Sequence, residues 1–177
     1  DFSDVQGVPP GGSFILTESD AVTTRRIEFR SDDAGRLTRK FTVDGVERPW
    51  DDEGRRWLAT VLIALERRTA LMADVRVPAL YQRGGVDAVL KEIALLSSDH
   101  ARRMYFDAWF KTTPTLSESE TRRALEIAGT MESDFEVAQT LISLAKAGKV
   151  GASPSAYVQA ARSIESDFEV RRALTAL

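Results

Sequence analysis

The sequence predicts an α+β fold, mostly α: a small antiparallel β-meander packed on a helix, followed by a HEAT-like α-solenoid of about three two-helix repeats. Three observations predict it. Apolar residues alternate with period two from Ser13 to Arg48. They recur at helical spacing after Asp51. A Ser-Asp motif then returns at a near-constant interval towards the C-terminus. The expected organisation is a β-sheet cap over residues 1–50, connecting helices over 51–85, and two-helix repeats over 86–177. The repeats divide at about 86–117, 118–152 and 153–177, the last one truncated.

In the first region Phe14 pairs with Leu16 on one face, Ile27 with Phe29, and Phe41 with Val43. Their neighbours Arg26, Glu28, Arg30, Lys40, Thr42 and Asp44 are polar, so each strand has one buried and one wet face. Turn residues separate the runs: Pro9-Pro10-Gly11-Gly12, Asp33-Ala34-Gly35 and Asp44-Gly45. Three or four antiparallel strands follow from this spacing, and so small a sheet needs a helix over its apolar face.

That helix starts at Asp51 or Asp52, either of which can cap it. Trp57, Leu58, Val61, Leu62 and Leu65 form its apolar stripe, and Arg67 and Arg68 suit its C-terminal dipole. Trp50 belongs where sheet meets helix. Pro78 predicts a broken or short helix between Leu71 and Arg83, and Gly84-Gly85 ends that element and opens the next.

The repeat signal is the clearest. Met131-Glu132-Ser133-Asp134-Phe135-Glu136-Val137 returns as Ile164-Glu165-Ser166-Asp167-Phe168-Glu169-Val170, 33 residues on, and Ser98-Asp99-His100 occupies the same slot 35 residues earlier. Leu90, Ile93 and Leu96 correspond to Leu125, Ala128 and Met131, then to Val158, Ala161 and Ile164. Phe106 and Trp109 correspond to Leu141 and Leu144, then to Leu174 and Leu177. Ser133 with Glu136, and Ser166 with Glu169, have capping-box spacing, which predicts a helix corner at each motif. Thr112-Thr113-Pro114 and Gly148 to Pro154 link the repeats. The first repeat has Ala101 where the others have glutamate. The start at Asp1-Phe2-Ser3 and the stop at Leu177, inside an expected helix, suggest a piece of a longer chain.

Composition narrows the function classes. Hydrophobic residues at 43% and charged residues at 29% are globular proportions. A net charge of −3, with both signs interspersed, gives no pull towards nucleic acid, and no apolar run reaches membrane-spanning length. The absence of cysteine removes disulfides, thiolate zinc sites and cysteine nucleophiles together.

No motif carries catalytic chemistry, so no catalytic, cofactor-binding or metal-ligating residue is assigned and no cofactor is expected. His100, the sole histidine, adjoins Asp99 and Ser98, but consecutive residues do not meet as a triad. Its register with Phe135 and Phe168 predicts a half-buried packing residue. Asp32-Asp33 and Asp51-Asp52-Glu53 fall in a turn and at a helix start, where acids serve local structure. Gly11-Gly12 and Gly84-Gly85 lack a phosphate-loop context. The arginine doublets at 25–26, 55–56, 67–68, 102–103, 122–123 and 171–172 have acidic neighbours such as Asp107, Glu126 and Glu132, as on a mixed solvated surface.

Arg48-Pro49-Trp50, the Asp-rich cap and Trp-Leu helix, Arg83-Gly84-Gly85, Val89-Leu90, Ser98-Asp99, Arg103, Tyr105-Phe106 and the Ser-Asp-aromatic-Glu repeats together resemble a poorly characterised extracytoplasmic region of bacterial envelope proteins. Some relatives of that region resemble the tails of β-lactam-sensor-type membrane metallopeptidases. His100 departs from the tyrosine or phenylalanine of that pattern, and the HExxH motif of the peptidases is absent. The resemblance implies a non-catalytic interaction or sensing module of a larger bacterial envelope-associated protein. Its partner would be another protein or another region of the same parent chain, with no nucleic acid and no membrane insertion by this segment. A periplasmic or extracytoplasmic location is implied, with the cytoplasm left open. The alternative is an accessory substrate-binding domain of a metallopeptidase or other hydrolase whose catalytic domain lies outside this sequence.

Overall fold

The computed structural model describes residues 3–177; Asp1 and Phe2, where the sequence suggests a cut end, lie outside the described residues. The protein is α+β and mostly helical, with a four-stranded antiparallel sheet. The chain forms two compact units, one up to Leu65 and one from Glu66 to Leu177.

In the first unit β1 (Ser13–Ser19), β2 (Thr24–Ser31), β3 (Leu37–Val43) and β4 (Val46–Arg48) pair in sequence order. The register sets Leu16 opposite Ile27 and Ile27 opposite Phe41, so the alternating apolar residues share one face. The turns use the predicted chemistry. Asp44 and Gly45 both have positive φ, 52° and 79°, the geometry of a two-residue turn whose twist suits a hairpin. Before β3, Asp32 Oδ1 accepts the amides of Ala34 and Arg36, each at 2.9 Å. Arg36 also holds the Asp32 carboxyl below its usual range, through its backbone amide first and its guanidinium second.

The first helix, α1 (Asp52–Thr69), is capped by Asp51, whose Oδ1 accepts from the amides of Glu53 and Gly54 at 3.0 and 3.1 Å. Leu58 is fully buried against Leu16, Ile27, Phe29 and Phe41, with Trp57, Val61, Leu62 and Leu65 packed around them. Trp50 meets Phe41 edge-on at 5.6 Å between ring centres, so the expected junction role holds.

In the second unit α2 (Ala73–Leu95) contains a break at Gly84 and Gly85. The end expected at Gly84-Gly85 is therefore found, whereas the interruption expected at Pro78 is not, and the helix continues through that proline. Proline here forfeits one bond, to a carbonyl in the first turn, while the neighbouring Val77 is fully buried. After α2 come α3 (Asp99–Thr112), α4 (Glu118–Ala128), α5 (Asp134–Lys146), α6 (Pro154–Ala161) and α7 (Asp167–Thr175). Helix α3 neighbours α5 and α5 neighbours α7, while α2 neighbours α4 and α4 neighbours α6. Their shared core includes Leu90, Ile93, Tyr105, Phe106, Trp109, Leu141, Leu144 and Tyr157. No helix among the described residues is long and apolar enough to cross a membrane.

Candidate functional site

The motif residues build helix corners. Ser98, Ser133 and Ser166 are the N-caps of α3, α5 and α7, each accepting from a first-turn amide. The aspartate that follows reaches the next corner instead of its own helix. Asp99 Oδ2 accepts the amides of Glu132 and Ser133 at 2.8 and 2.9 Å. Asp134 accepts those of Glu165 and Ser166 at 3.1 and 2.8 Å. A carboxylate at one corner thus satisfies two amides that precede the next helix, where donors are otherwise orphaned.

This changes the expected capping boxes. The serine half exists at Ser133 and Ser166, but Glu136 and Glu169 do not reach back to the cap, because Asp99 and Asp134 already hold those amides. Glu136 instead pairs with Arg103 and with His100 at 3.2 Å, and Glu169 pairs with Arg172 at 2.7 Å. A complete box occurs at Ser117 and Glu120, which sequence reasoning passed over although the S-x-x-E spacing was there to be read.

His100 is likewise corrected. Its side chain is 56% exposed, and Phe135 and Phe168 at the same slot are 50% and 57% exposed. The slot points outward from the corner, so the residue is a surface group and not a packing one. Ser98, Asp99 and His100 diverge: Ser98 donates to the Arg68 carbonyl at 2.9 Å, Asp99 faces the next corner, and His100 faces Glu136. Among the described residues no group of three or more His, Cys, Asp or Glu side chains is placed to hold a metal ion.

The arginine doublets are largely spent on acids. Arg55 pairs with Asp52 at 2.9 Å, Arg122 with Glu118 at 2.6 Å, Arg123 with Asp87 at 2.6 Å, and Arg103 with Asp107 at 2.7 Å. The first three are exposed, and exposed pairs add little to stability.

One ionic cluster is buried, and the sequence pattern did not reveal it. Glu92 accepts from Arg67 at 2.9 and 3.2 Å and from Arg76 at 2.9 Å. Glu66 accepts from the Tyr105 hydroxyl at 3.0 Å and from the Met72 amide at 2.9 Å. Burial pushes Glu92 up, but the two arginines together outweigh it and hold the carboxyl below its usual range. Burial, with Glu66 beside it, drives the Tyr105 hydroxyl far above the ordinary phenol value. Both carboxylates are satisfied by fixed donors, so the cluster ties the end of α1 to α2 and α3. The signal available in the sequence was Glu92 itself, a charge at helical spacing among Val89, Ile93 and Leu96.

A groove of about 480 Å³, open to solvent, runs between α4 and α6. Leu125, Gly129 and Ala160 contribute its apolar part, and Arg122, Gln159 and Arg162 its polar part. The two guanidiniums could grip an acidic or carbonyl-rich segment. Arg122 is shared with Glu118, and Arg162 with the Gln159 side chain at 3.3 Å. Such an open trough excludes little water. Comparison with protein families, curated proteins and solved structures finds no match to this chain.

Proposed function

We propose that the chain is a non-catalytic protein-interaction or sensing module built from a small β-sheet followed in sequence by a HEAT-like α-solenoid of about three two-helix repeats. In this reading it serves a larger bacterial envelope-associated protein in the periplasm or another extracytoplasmic compartment. The observation that carries it is the recurrence of the corner bonds, Asp99 to Glu132 and Ser133, then Asp134 to Glu165 and Ser166. Polar side chains that recur with the repeat are engaged in holding successive helix pairs together. A stack of that kind generates extended surface with little chemistry in it. The α4–α6 groove supplies a place on that surface for a protein partner or another region of the parent chain.

Site-specific photocrosslinking tests the reading. A photoreactive residue at Gln159, in the groove, is expected to capture one stoichiometric polypeptide from envelope extracts, whereas the same residue at exposed Lys40 on the sheet captures none. Charge reversal at Arg122 and Arg162 should abolish capture at 159 while leaving the fold intact by circular dichroism. Equal capture from both positions, or capture unaffected by charge reversal, would remove the groove from the proposal.

A further inference from the structure

The bonds between corners define a socket, and the third corner presents it open. Asp99 and Asp134 each accept two consecutive amides, of a Glu-Ser pair at the start of the next helix. Asp167 is third in that series, at the first position of α7. It is exposed, and among the described residues no hydrogen bond or ion pair engages its side chain.

The apolar positions agree. Phe106 and Leu141 are fully buried, whereas Leu174, next in register, is 41% exposed. On the other row Leu90 and Leu125 are buried and Val158 is only half-buried. Helix α3 is neighboured by α5, and α5 by α7. Helix α7 thus carries both the acceptor and the apolar contacts that α3 and α5 use to hold their successors.

From this series we propose that the α6–α7 face is a docking surface for a further helix pair with the same corner chemistry. Its occupant supplies an apolar residue, then two consecutive backbone amides ahead of a serine-capped helix. Asp167 would accept those amides, and the positive end of the incoming helix complements its charge. The inference rests on the repeat reading above but concerns a different face from the groove.

The test appends a copy of residues 145–177 directly after Leu177, which preserves the 33-residue register. The thermal midpoint of the helical unit should rise by about 5 °C or more. Asp167→Ala should shift the midpoint of the unextended chain by less than about 2 °C and remove most of the gain in the extended one. Asp134→Ala in the unextended chain is the internal control and should lower the midpoint by about 4 °C or more. If Asp134→Ala acts as stated but the extension adds nothing, or adds a gain indifferent to Asp167→Ala, the docking inference fails and the repeat reading stands. No effect from Asp134→Ala overturns both. Concentration-dependent dimerisation of the unextended chain that Asp167→Ala abolishes would overturn the proposal in favour of a second copy as occupant.

Discussion

The carboxylate of Asp134 accepts the backbone amide of Ser166 at 2.8 Å, just as Asp99 accepts that of Ser133 at 2.9 Å, one helix corner earlier. The serine of each corner is therefore held from outside its own helix. Its hydroxyl contributes only a long 3.4 Å contact to the first-turn amide.

A stability ranking follows from these lengths. Asp99→Ala removes two charge-assisted bonds and leaves two corner amides unpaired, and should cost about 2–3 kcal/mol. Ser133→Ala removes one weak cap and should cost about 0.5–1 kcal/mol. Urea unfolding of the two variants measures the order. A serine loss equal to or larger than the aspartate loss would show that the corner is held by its own cap.

The buried Glu92 cluster makes acid sensitivity a second test. Its folded value lies below the ordinary 4.5, so its stabilisation is complete above about pH 4.5 and is lost as pH falls through the lower folded value. Glu92→Gln should cost about 3 kcal/mol at neutral pH by removing the carboxylate charge that Arg67 and Arg76 share. It should also flatten the decline in urea midpoint below pH 4.5. An acid limb as steep in the variant as in the parent would place the sensitive carboxylate elsewhere.

Tyr157, together with the still more strongly raised Tyr105, contributes to the opposite limb. Burial pushes its hydroxyl from 10.0 up to about 12. The hydroxyl donates to the Ala173 carbonyl at 2.8 Å. With a raised folded value, the stabilisation is intact below about pH 10 and is lost as pH climbs towards 12. Tyr157→Phe should cost about 1 kcal/mol at neutral pH and soften the alkaline loss. Tyrosinate absorbance should then show one fewer hydroxyl whose ionisation accompanies unfolding. An unchanged alkaline profile would rule Tyr157 out as a contributor to it.

What the sequence made legible were features written in periodicity and local turn chemistry. The strands, the Asp44-Gly45 turn, the stripe from Trp57 to Leu65 and the corners at Ser133 and Ser166 all depend on residues close in sequence. What it hid depends on pairing at a distance. The capping-box spacing at Ser133 and Glu136 is genuine, yet Asp99, far upstream, takes the amide that Glu136 would have reached. Likewise the alignment of His100 with two phenylalanines predicted burial, because aromatic character suggests a core and the outward direction of that slot leaves no mark in the spacing. The Glu66 and Glu92 cluster needed three helices brought together before its pairing could be read.

The break in α2 gives a prediction free of packing effects. Gly85 has φ 61° and ψ −152°, a region that side chains other than glycine adopt only under strain. An added Cβ there meets nothing within 4 Å, so Gly85→Ala tests the backbone alone and should cost about 1–3 kcal/mol. Gly84, at φ −153°, is ordinary in backbone terms, and its added Cβ would lie 3.0 Å from the Ala88 side chain. Gly84→Ala should therefore cost less, about 1 kcal/mol or below, since a small contact can relax. Denaturant unfolding of the pair decides the matter. If Gly85→Ala unfolds at the parent midpoint, the helix tolerates a straighter path there, and the break is not what fixes the direction in which α2 resumes after Gly85.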